Sequence, residues 1–370
     1  MTRRHVVLDA TAARPPLTGV GWSMVEVARA LAETAPADLR FTLLCEDPEP
    51  FAAAAAAGWP LRVLELGHGR GARILRAQTR VGAAAQELRA DLLHCLTMPG
   101  VLRPPCPLAV TVHDLAYLHV PGTIEGPRRL WYRMAVPRGL ARADRILTNS
   151  RHTAQEVAAA FPGARDRIRV TPFGTPSWTA GAPRAPEEPA ADAPFLFVGA
   201  LEPRKNLGRI LDALELLHAR RAEAPALHVV GAPGWRNTDL LARLDRLQEA
   251  GLVRWEGHLR HADLQQRLVS ARALLLPSLH EGFGFPILEG MALGIPVITS
   301  DRGAMREVGG EDALLVDPEA PEAIAAAMET VLDHRGLMTD LVRRGRERAA
   351  ARTWSVAAEA TLAAYREVLA

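Results

Sequence analysis

Short, uninterrupted apolar runs alternate along this chain with longer stretches in which apolar residues return every third or fourth position. Runs of the first kind suit strands buried on both faces, and stretches of the second kind suit helices that lay one face on such a sheet. Their alternation predicts parallel sheets covered by helices, an α/β fold. Strands are expected near His5 to Asp9, Arg40 to Leu44, Arg62 to Leu66, Leu92 to Cys95, Leu108 to Val112, Arg145 to Thr148 and Ile168 to Val170. A second set is expected near Phe195 to Gly199, Leu227 to Gly231, Val253 to Gly257, Ala273 to Leu276, Val297 to Thr299 and Leu314 to Val316.

Between the two sets, residues 177–194 are rich in Pro, Ala and Glu, the composition of a linker. The pattern divides into a first Rossmann-like, doubly wound domain over 1–176, a second over 195–353, and a closing helix over 354–370. At 370 residues the chain exceeds the size at which one core keeps growing, so length alone also favours two domains.

Composition narrows the class without naming the chemistry. With 48% hydrophobic and 23% charged residues the chain can bury large cores. A net charge of +2 gives no basis for a nucleic-acid partner. Cys45, Cys95 and Cys106 form no Cys-x-x-Cys pair, which fits a reducing cytoplasm and argues against a disulfide framework or a zinc site. No run approaches the ~20 apolar residues that span a bilayer. The opening Met1-Thr2-Arg3-Arg4 leads into a first strand closed by Asp9 rather than a signal sequence, so the expected location is the cytoplasm. Arg70, Arg73, Arg76 and Arg80 suggest either a solvated helix face or weak peripheral contact with an anionic membrane or lipid-linked acceptor.

Candidate chemistry gathers after the apolar run Ala273 to Leu276. That run ends at Pro277-Ser278 and is followed by His280-Glu281-Gly282-Phe283-Gly284-Phe285-Pro286-Ile287-Leu288-Glu289. Pro286 suits the first helical position, where its missing N–H costs nothing, so a helix should begin near Phe285 with Glu289 in its first turn. Strand, glycine loop and helix N-terminus together aim unpaired amides and a positive dipole end at one spot, which suits an anion such as a diphosphate. Two acids flanking that spot would be repulsive unless they grip hydroxyls of a sugar or ribose attached to the phosphate. A nucleotide-sugar site follows, with Ser278 counted in its donor-binding set.

A second run, Gly199-Ala200-Leu201-Glu202-Pro203-Arg204-Lys205-Asn206-Leu207, follows the first strand of the second domain. Parallel strands present their carboxyl ends to one edge, so its cations should meet the same crevice as the glutamate loop. Arg204 can clamp a phosphate through two N–H groups, and Lys205 can add a point charge. Cations fixed there stabilise a diphosphate most as it gains charge in leaving.

The first domain carries two further signals. Thr18-Gly19-Val20-Gly21-Trp22 reads as a glycine turn leading into a helical pattern from Met24 to Ala32, with Gly19 and Gly21 allowing close approach of backbone to ligand. His113, at the carboxyl end of the run Leu108 to Val112, either orients a donor hydroxyl, accepts a hydrogen bond from an acceptor, or is satisfied by a neighbouring carbonyl. Ser150 or Thr153 is expected to cap a helix, with Glu156 as capping-box partner.

The Glu281-x7-Glu289 spacing with its glycines and proline, and the run Glu202 to Asn206, resemble retaining glycosyltransferases of family 4, the second run most like mannosyltransferase-like members. The similarity extends along Arg142 to Ser150 and Pro296 to Val308. The resemblance implies a GT-B fold, two Rossmann-like domains facing across a cleft, with the closing helix crossing back to the first domain. It implies that Glu289 holds the ribose, that Glu281 meets hydroxyls of the donor sugar, and that the backbone from Gly282 through Phe283, Gly284 and Phe285 contacts sugar and diphosphate. It places Gly19 and Gly21 near the donor phosphate or the acceptor, and His113 in the cleft. Trp22 and Ser23 stand where relatives carry a tyrosine, which implies a different acceptor specificity. Glu307 is either structural or a contact to the base.

The implied partners are a nucleotide-diphosphate sugar, GDP-mannose first with UDP- and dTDP-sugars behind it, and an acceptor hydroxyl on a polysaccharide, lipid-linked glycan or secondary metabolite. No pair of acids is placed as nucleophile and acid catalyst in the glycosidase manner, so the family's front-face substitution is expected. No Asp-x-Asp motif occurs, so no metal is expected, with Arg204, Lys205 and helix dipoles in its place. A GT-B-type sugar-nucleotide epimerase and an inactive nucleotide-sugar-binding partner subunit are the alternatives. A dinucleotide dehydrogenase is weaker, because no Gly-x-Gly-x-x-Gly follows the first strand.

Overall fold

The computed structural model describes residues 3–120, 126–221, 223–234 and 238–370. The first sheet is built from β1 (Arg4–Asp9), β2 (Leu39–Cys45), β3 (Leu61–Val63), β4 (Leu92–Cys95), β5 (Leu108–Val112), β6 (Arg145–Thr148) and β7 (Ile168–Val170). The second is built from β8 (Phe195–Val198), β9 (Leu227–Val230), β10 (Val253–Trp255), β11 (Ala273–Leu276), β12 (Val297–Ser300) and β13 (Leu314–Val316). Their orders are β3-β2-β1-β4-β5-β6-β7 and β10-β9-β8-β11-β12-β13, and neighbouring strands run parallel.

Each apolar run of the sequence is a strand. Strands β4, β5, β11 and β12 are buried at every residue, as expected where helices cover both faces of a sheet. The edge strand β3 starts one residue before the expected run from Arg62 to Leu66 and ends at Val63; beyond it the Leu64 amide donates to the Cys45 carbonyl at 2.8 Å and the Leu66 amide to the Glu46 carboxylate at 3.3 Å. Helix Leu207–Arg220 buries Leu207, Ile210, Leu211, Leu214 and Leu217 against Phe195, Phe197 and Leu275 of the second sheet. Each such side chain contributes about 2 kcal/mol of apolar burial.

The chain forms two compact units, one containing the first sheet and one the second. The final stretch Thr353–Ala370 belongs to the first. Its helix, Trp354–Leu369, buries Tyr365 completely. The Tyr365 hydroxyl lies 2.6 Å from Nδ1 of His94 on β4, whose Nε2 lies 2.8 Å from the Thr111 hydroxyl on β5. Burial pulls His94 down to about 3, so this buried chain is uncharged. The Trp354 ring packs on Phe173 at 5.1 Å, and a Cβ on Gly174 would stand 2.6 Å from the Trp354 nitrogen, so only glycine allows the helix to enter there.

Residues 177–194, linker-like in composition, are bound to the second unit. Ala185 donates its amide to the Leu293 carbonyl at 2.8 Å, and Arg272 donates to the carbonyls of Ala190, Ala191 and Ala193. Prolines limit regular structure here to the short turn Ser177–Thr179, yet the carbonyls of the segment remain good acceptors for a neighbouring guanidinium.

The basic stripe is also more occupied than the sequence suggests. Arg73 donates to the Thr11 carbonyl and pairs with Glu46, Arg76 donates to the Leu66 carbonyl, and Arg80 to that of Glu65. These guanidiniums brace loops at the carboxyl ends of β1, β2 and β3; the Arg70 side chain lies outside the described part. Among the described residues no helix is long and apolar enough to cross a membrane.

Candidate active site

The winding of the second sheet reverses between β8 and β11, which pair directly with Phe195 opposite Ala273 and Phe197 opposite Leu275. Segments leaving the carboxyl ends of these two strands diverge to opposite faces and leave a crevice between them. The basic run after β8 and the glutamate loop after β11 therefore meet. Glu281 accepts from Arg204 Nη1 at 2.7 Å, from Lys205 Nζ at 2.5 Å and from the Ser278 hydroxyl at 3.0 Å. The Arg204 carbonyl accepts from the Leu279 amide at 2.8 Å, joining the loops through the backbone as well.

Asn206 locks this junction. It adopts the left-handed conformation, φ 64° and ψ 25°, and its side-chain amide donates to the carbonyls of Pro277 at 2.9 Å and Pro318 at 2.6 Å. One residue thus ties together the segments that follow β8, β11 and β13. Asparagine is among the few residues that both tolerate this backbone and reach two carbonyls.

The electrostatics follow from burial. Glu281 is buried, which alone would push its pKa up, but Lys205 and Arg204 outweigh that and hold it at about 2. Burial pulls the Lys205 ammonium down, with the neighbouring Arg204 adding to the fall and Glu281 opposing it. Arg204 is shared further, its Nε donating to Glu202 at 2.8 Å. Two cations and two carboxylates make the cluster close to neutral, so a diphosphate here would enter by drawing the cations from their carboxylates. The sequence alone had suggested cations standing open to the ligand.

Gly284 precedes the glutamate-loop helix with φ 93° and ψ 56°, and a Cβ there would press on Ile287 at 3.1 Å. Glycine is required at this turn. The helix runs Phe285–Leu293 with Pro286 in its first turn. Glu289 is its fifth residue, one position beyond the first turn where the sequence reading put it, because the helix begins at Phe285 and a turn takes 3.6 residues. Its half-buried carboxyl is pushed up to about 7 by burial, against the opposing pull of a hydrogen bond from the Trp178 side chain and of Lys205. Phe283 and Phe285 pack edge to face at 5.1 Å and close the loop over Gly284. Ser278 is fully buried beneath it, with its hydroxyl turned to Glu281 and its carbonyl accepting from the Ser300 hydroxyl.

In the first unit, Gly19 and Gly21 do not form a turn ahead of a helix. They lie in its first turn, because helix Gly19–Thr34 begins five residues before Met24, with Thr18 as N-cap accepting from the Gly21 amide at 3.3 Å. A Cβ on Gly21 would stand 3.0 Å from Leu17, so the close approach seen there is to the protein's own chain. His113 is buried and donates from Nε2 to the Leu96 carbonyl at 2.8 Å, which leaves its lone pair on Nδ1. Burial lowers its pKa, so the ring is neutral. Ser150 caps helix Arg151–Ala160 by accepting from the Thr153 amide at 3.0 Å, and Glu156, out of reach of a capping box, lies 3.3 Å from His152 instead.

The structure thus brings Arg204, Lys205, Ser278, Glu281, Gly282, Phe283, Gly284, Phe285 and Glu289 into one unit, while Gly19, Gly21 and His113 belong to the other. Three contributors lacked a role in the sequence reading. Glu202 and Asn206 lay within the basic run, where a proline, a cation pair and an asparagine in succession signal a tight turn. Trp178 carried no signal, since linker composition hides a side chain that packs.

Comparison with known proteins matches residues 17–176 to a family profile described as Glycosyltransferase Family 4 and residues 193–334 to one described as glycosyl transferases group 1. The chain is 30% identical over 265 residues to O-antigen chain mannosyltransferase B of Escherichia coli, with 69% of each chain aligned. It is 32% identical over 284 residues to a D-inositol 3-phosphate glycosyltransferase of Acidothermus cellulolyticus, with 71% of this chain and 62% of that one aligned. Among solved structures, sucrose-phosphate synthase from Thermosynechococcus elongatus superposes with a TM-score of 0.76 at 19% identity over 99% of both chains. Anabaena HepE in complex with UDP and glucose superposes with a TM-score of 0.70 at 18% identity over 99% of this chain and 100% of that one. At such identities the likeness speaks for the fold.

Proposed function

We propose that this chain, which belongs to glycosyltransferase family 4 and has the GT-B fold, moves a hexose from a nucleotide-diphosphate sugar to a hydroxyl of a sugar-containing acceptor, with retention of anomeric configuration. The observation that carries the reading is the Glu281 carboxylate held ionised by Arg204 and Lys205 at the winding reversal of the second sheet, with Glu289 on the helix that follows. An ionised carboxylate accepts from sugar hydroxyls, and the two cations beside it suit the diphosphate that departs. Relatives named as mannosyltransferases support mannose as the transferred sugar, and GDP-mannose is the donor proposed first. The UDP and glucose bound by Anabaena HepE support a nucleotide-sugar in a fold of this kind and keep UDP-sugars in view.

In this reading Glu289 accepts from the ribose hydroxyls and Glu281 from those of the donor sugar. As the bond from the anomeric carbon to the diphosphate oxygen breaks, its electron pair goes to that oxygen, where Arg204 and Lys205 meet the growing charge. The acceptor oxygen bonds to the same face of the sugar, and its proton passes to the departing phosphate oxygen. The two side-chain cations fill the role that a divalent ion plays elsewhere, so the step is written without a metal. His113, neutral with its lone pair on Nδ1, suits acceptance of a hydrogen bond from a hydroxyl.

Thermal shift against GDP, UDP, dTDP and their sugars, run on the wild type and on Glu289→Ala, tests this. One nucleotide should raise the wild-type Tm and lose that effect in the variant. If no nucleotide or nucleotide-sugar moves the wild-type Tm, the reading is overturned.

A further inference from the structure

Helix Gly126–Arg142 of the first unit is apolar on two opposite sides, and the protein covers one of them. Inward, Ala135, Val136 and Leu140 are buried, and a Cβ on Gly139 would stand 1.9 Å from the Pro99 carbonyl oxygen. Arg167 donates to the Leu140 carbonyl at 2.8 Å, so the helix has a fixed bearing. Outward, a repeat of about 3.6 residues per turn gathers Leu130, Met134, Pro137 and Ala141 into one stripe. Within it Leu130 is 59% exposed and Met134 44%.

Arginines border this stripe on both sides. Arg129 and Arg133 lie one turn apart along one margin, Arg138 and Arg142 along the other, and all four are exposed. Half-buried Trp131 sits beside the second margin, a place that suits a ring with an apolar body and a polar N–H at a boundary with water. The helix carries no acidic residue in its 17 positions. Among the described residues no carboxylate pairs with the four arginines of the margins, and Arg138 donates to the Met134 carbonyl of its own helix at 2.8 Å. Arg128 and Arg129 stand in the first turn, where the helix dipole disfavours a cation and no acid offsets it. A local cost of this kind is expected where residues serve something outside the fold. Helix Arg70–Glu87 differs, because Arg73, Arg76 and Arg80 there are engaged by the protein's own carbonyls and by Glu46.

We infer that helix Gly126–Arg142 docks the first unit on an anionic lipid surface. It lies in the plane of the headgroups, with Leu130 and Met134 entering the apolar boundary and the arginines of both margins meeting lipid phosphates. An apolar centre between two cationic margins matches a layer that is apolar in depth and anionic at its face. Two large apolar side chains make too small a patch for a stable protein partner, which needs roughly 800 Å² from each side. The inference is independent of the donor chemistry proposed above.

Co-sedimentation of the full chain with vesicles of phosphatidylcholine, and of phosphatidylcholine mixed with phosphatidylglycerol, tests it. Wild type should partition onto the mixed vesicles, bind the neutral ones far less, and be released by salt. Arg129→Ser with Arg133→Ser should lower partitioning onto the mixed vesicles roughly tenfold or more. Leu130→Ser with Met134→Ser should lower it about as much. All four side chains are exposed, so the Tm of both double variants should stay near that of wild type, which separates lost binding from lost folding. Leu75→Ser, at an exposed position of helix Arg70–Glu87, should bind as wild type does. No binding of wild type to the mixed vesicles overturns the inference. So does binding that survives in both double variants, or that is lost in Leu75→Ser instead. If wild type dimerises without lipid and Leu130→Ser with Met134→Ser abolishes the dimer but leaves vesicle binding intact, the stripe serves a second copy of the chain and the inference falls.

Discussion

Lys205 and Glu281 lie 76 residues apart in the chain and 2.5 Å apart in space, because the strands they follow, β8 and β11, are neighbours at the one place where the second sheet changes winding direction. Glu281 is buried and the Lys205 side chain nearly so, and Arg204 shares the pair. Removing one member leaves the other charge desolvated, which costs about 3 kcal/mol or more, whereas removing both restores much of the loss. Lys205→Met and Glu281→Gln should each lower unfolding stability in urea, and the double variant should be more stable than the sum of the two losses predicts. Transfer activity should fall in all three. A double variant whose loss is the plain sum would show that the two residues do not act as a pair.

The same pair sets the acid limb of stability. Glu281 is held at about 2 against an ordinary 4.5, so it contributes stability above the upper value that is lost as pH falls toward the lower. The difference corresponds to about 3 kcal/mol. Between pH 4.5 and pH 2 the wild type should lose more stability than Glu281→Gln, as read by denaturant midpoints at each pH.

Glu289 acts with the opposite sign. Its folded pKa of about 7 lies above the ordinary 4.5, so the folded state keeps a proton that the unfolded chain has released, and stability falls as pH rises through that window. Glu289→Gln should flatten this fall, leaving the variant more stable than the wild type at pH 8 by up to roughly 3 kcal/mol. Melting temperatures of the two proteins from pH 5 to pH 8 would check it; parallel curves would show that Glu289 ionises as freely as an exposed acid.

Asn206 offers a separation of backbone from side-chain effects. Asn206→Gly keeps the left-handed backbone and loses both bonds to Pro277 and Pro318, while Asn206→Ala loses the bonds and strains the backbone too. Leaving buried carbonyls unmet should cost about 2 kcal/mol in either case, and alanine should lose about 1 kcal/mol more than glycine. Chemical denaturation of the two variants decides it.

In the first unit, Tyr365→Phe keeps the ring and removes the hydroxyl that faces His94. The buried imidazole nitrogen would be left unmet, at about 1 to 3 kcal/mol. Denaturant unfolding should show that loss, and His94→Phe in the same background should cost less than it does alone, since the two residues share one bond.

Strands and motifs were legible in the sequence because both are written in local patterns. A run such as Leu274-Leu275-Leu276 must be buried on both faces, and Gly284 followed by Pro286 admits few backbones. The meeting of Arg204 with Glu281 was legible too, through the rule that parallel strands share a carboxyl edge. What the sequence did not show was how charges would be shared once there. That Arg204 would also bond Glu202, or that Ser278 would turn its hydroxyl inward, depends on side-chain directions that no spacing encodes. The linker misled for a related reason: the prolines between residues 177 and 194 argue against a long helix, and say nothing of the carbonyls and amides that bind this segment to its neighbour.

The return of Thr353–Ala370 to the first unit sets the order in which the two units are completed. During synthesis the second unit has all its strands and helices before the first receives the helix that buries Tyr365 against His94. The half made first is the half finished last. A protease that trimmed these helical turns would therefore injure the first unit, far from the cut along the chain, and leave the second whole.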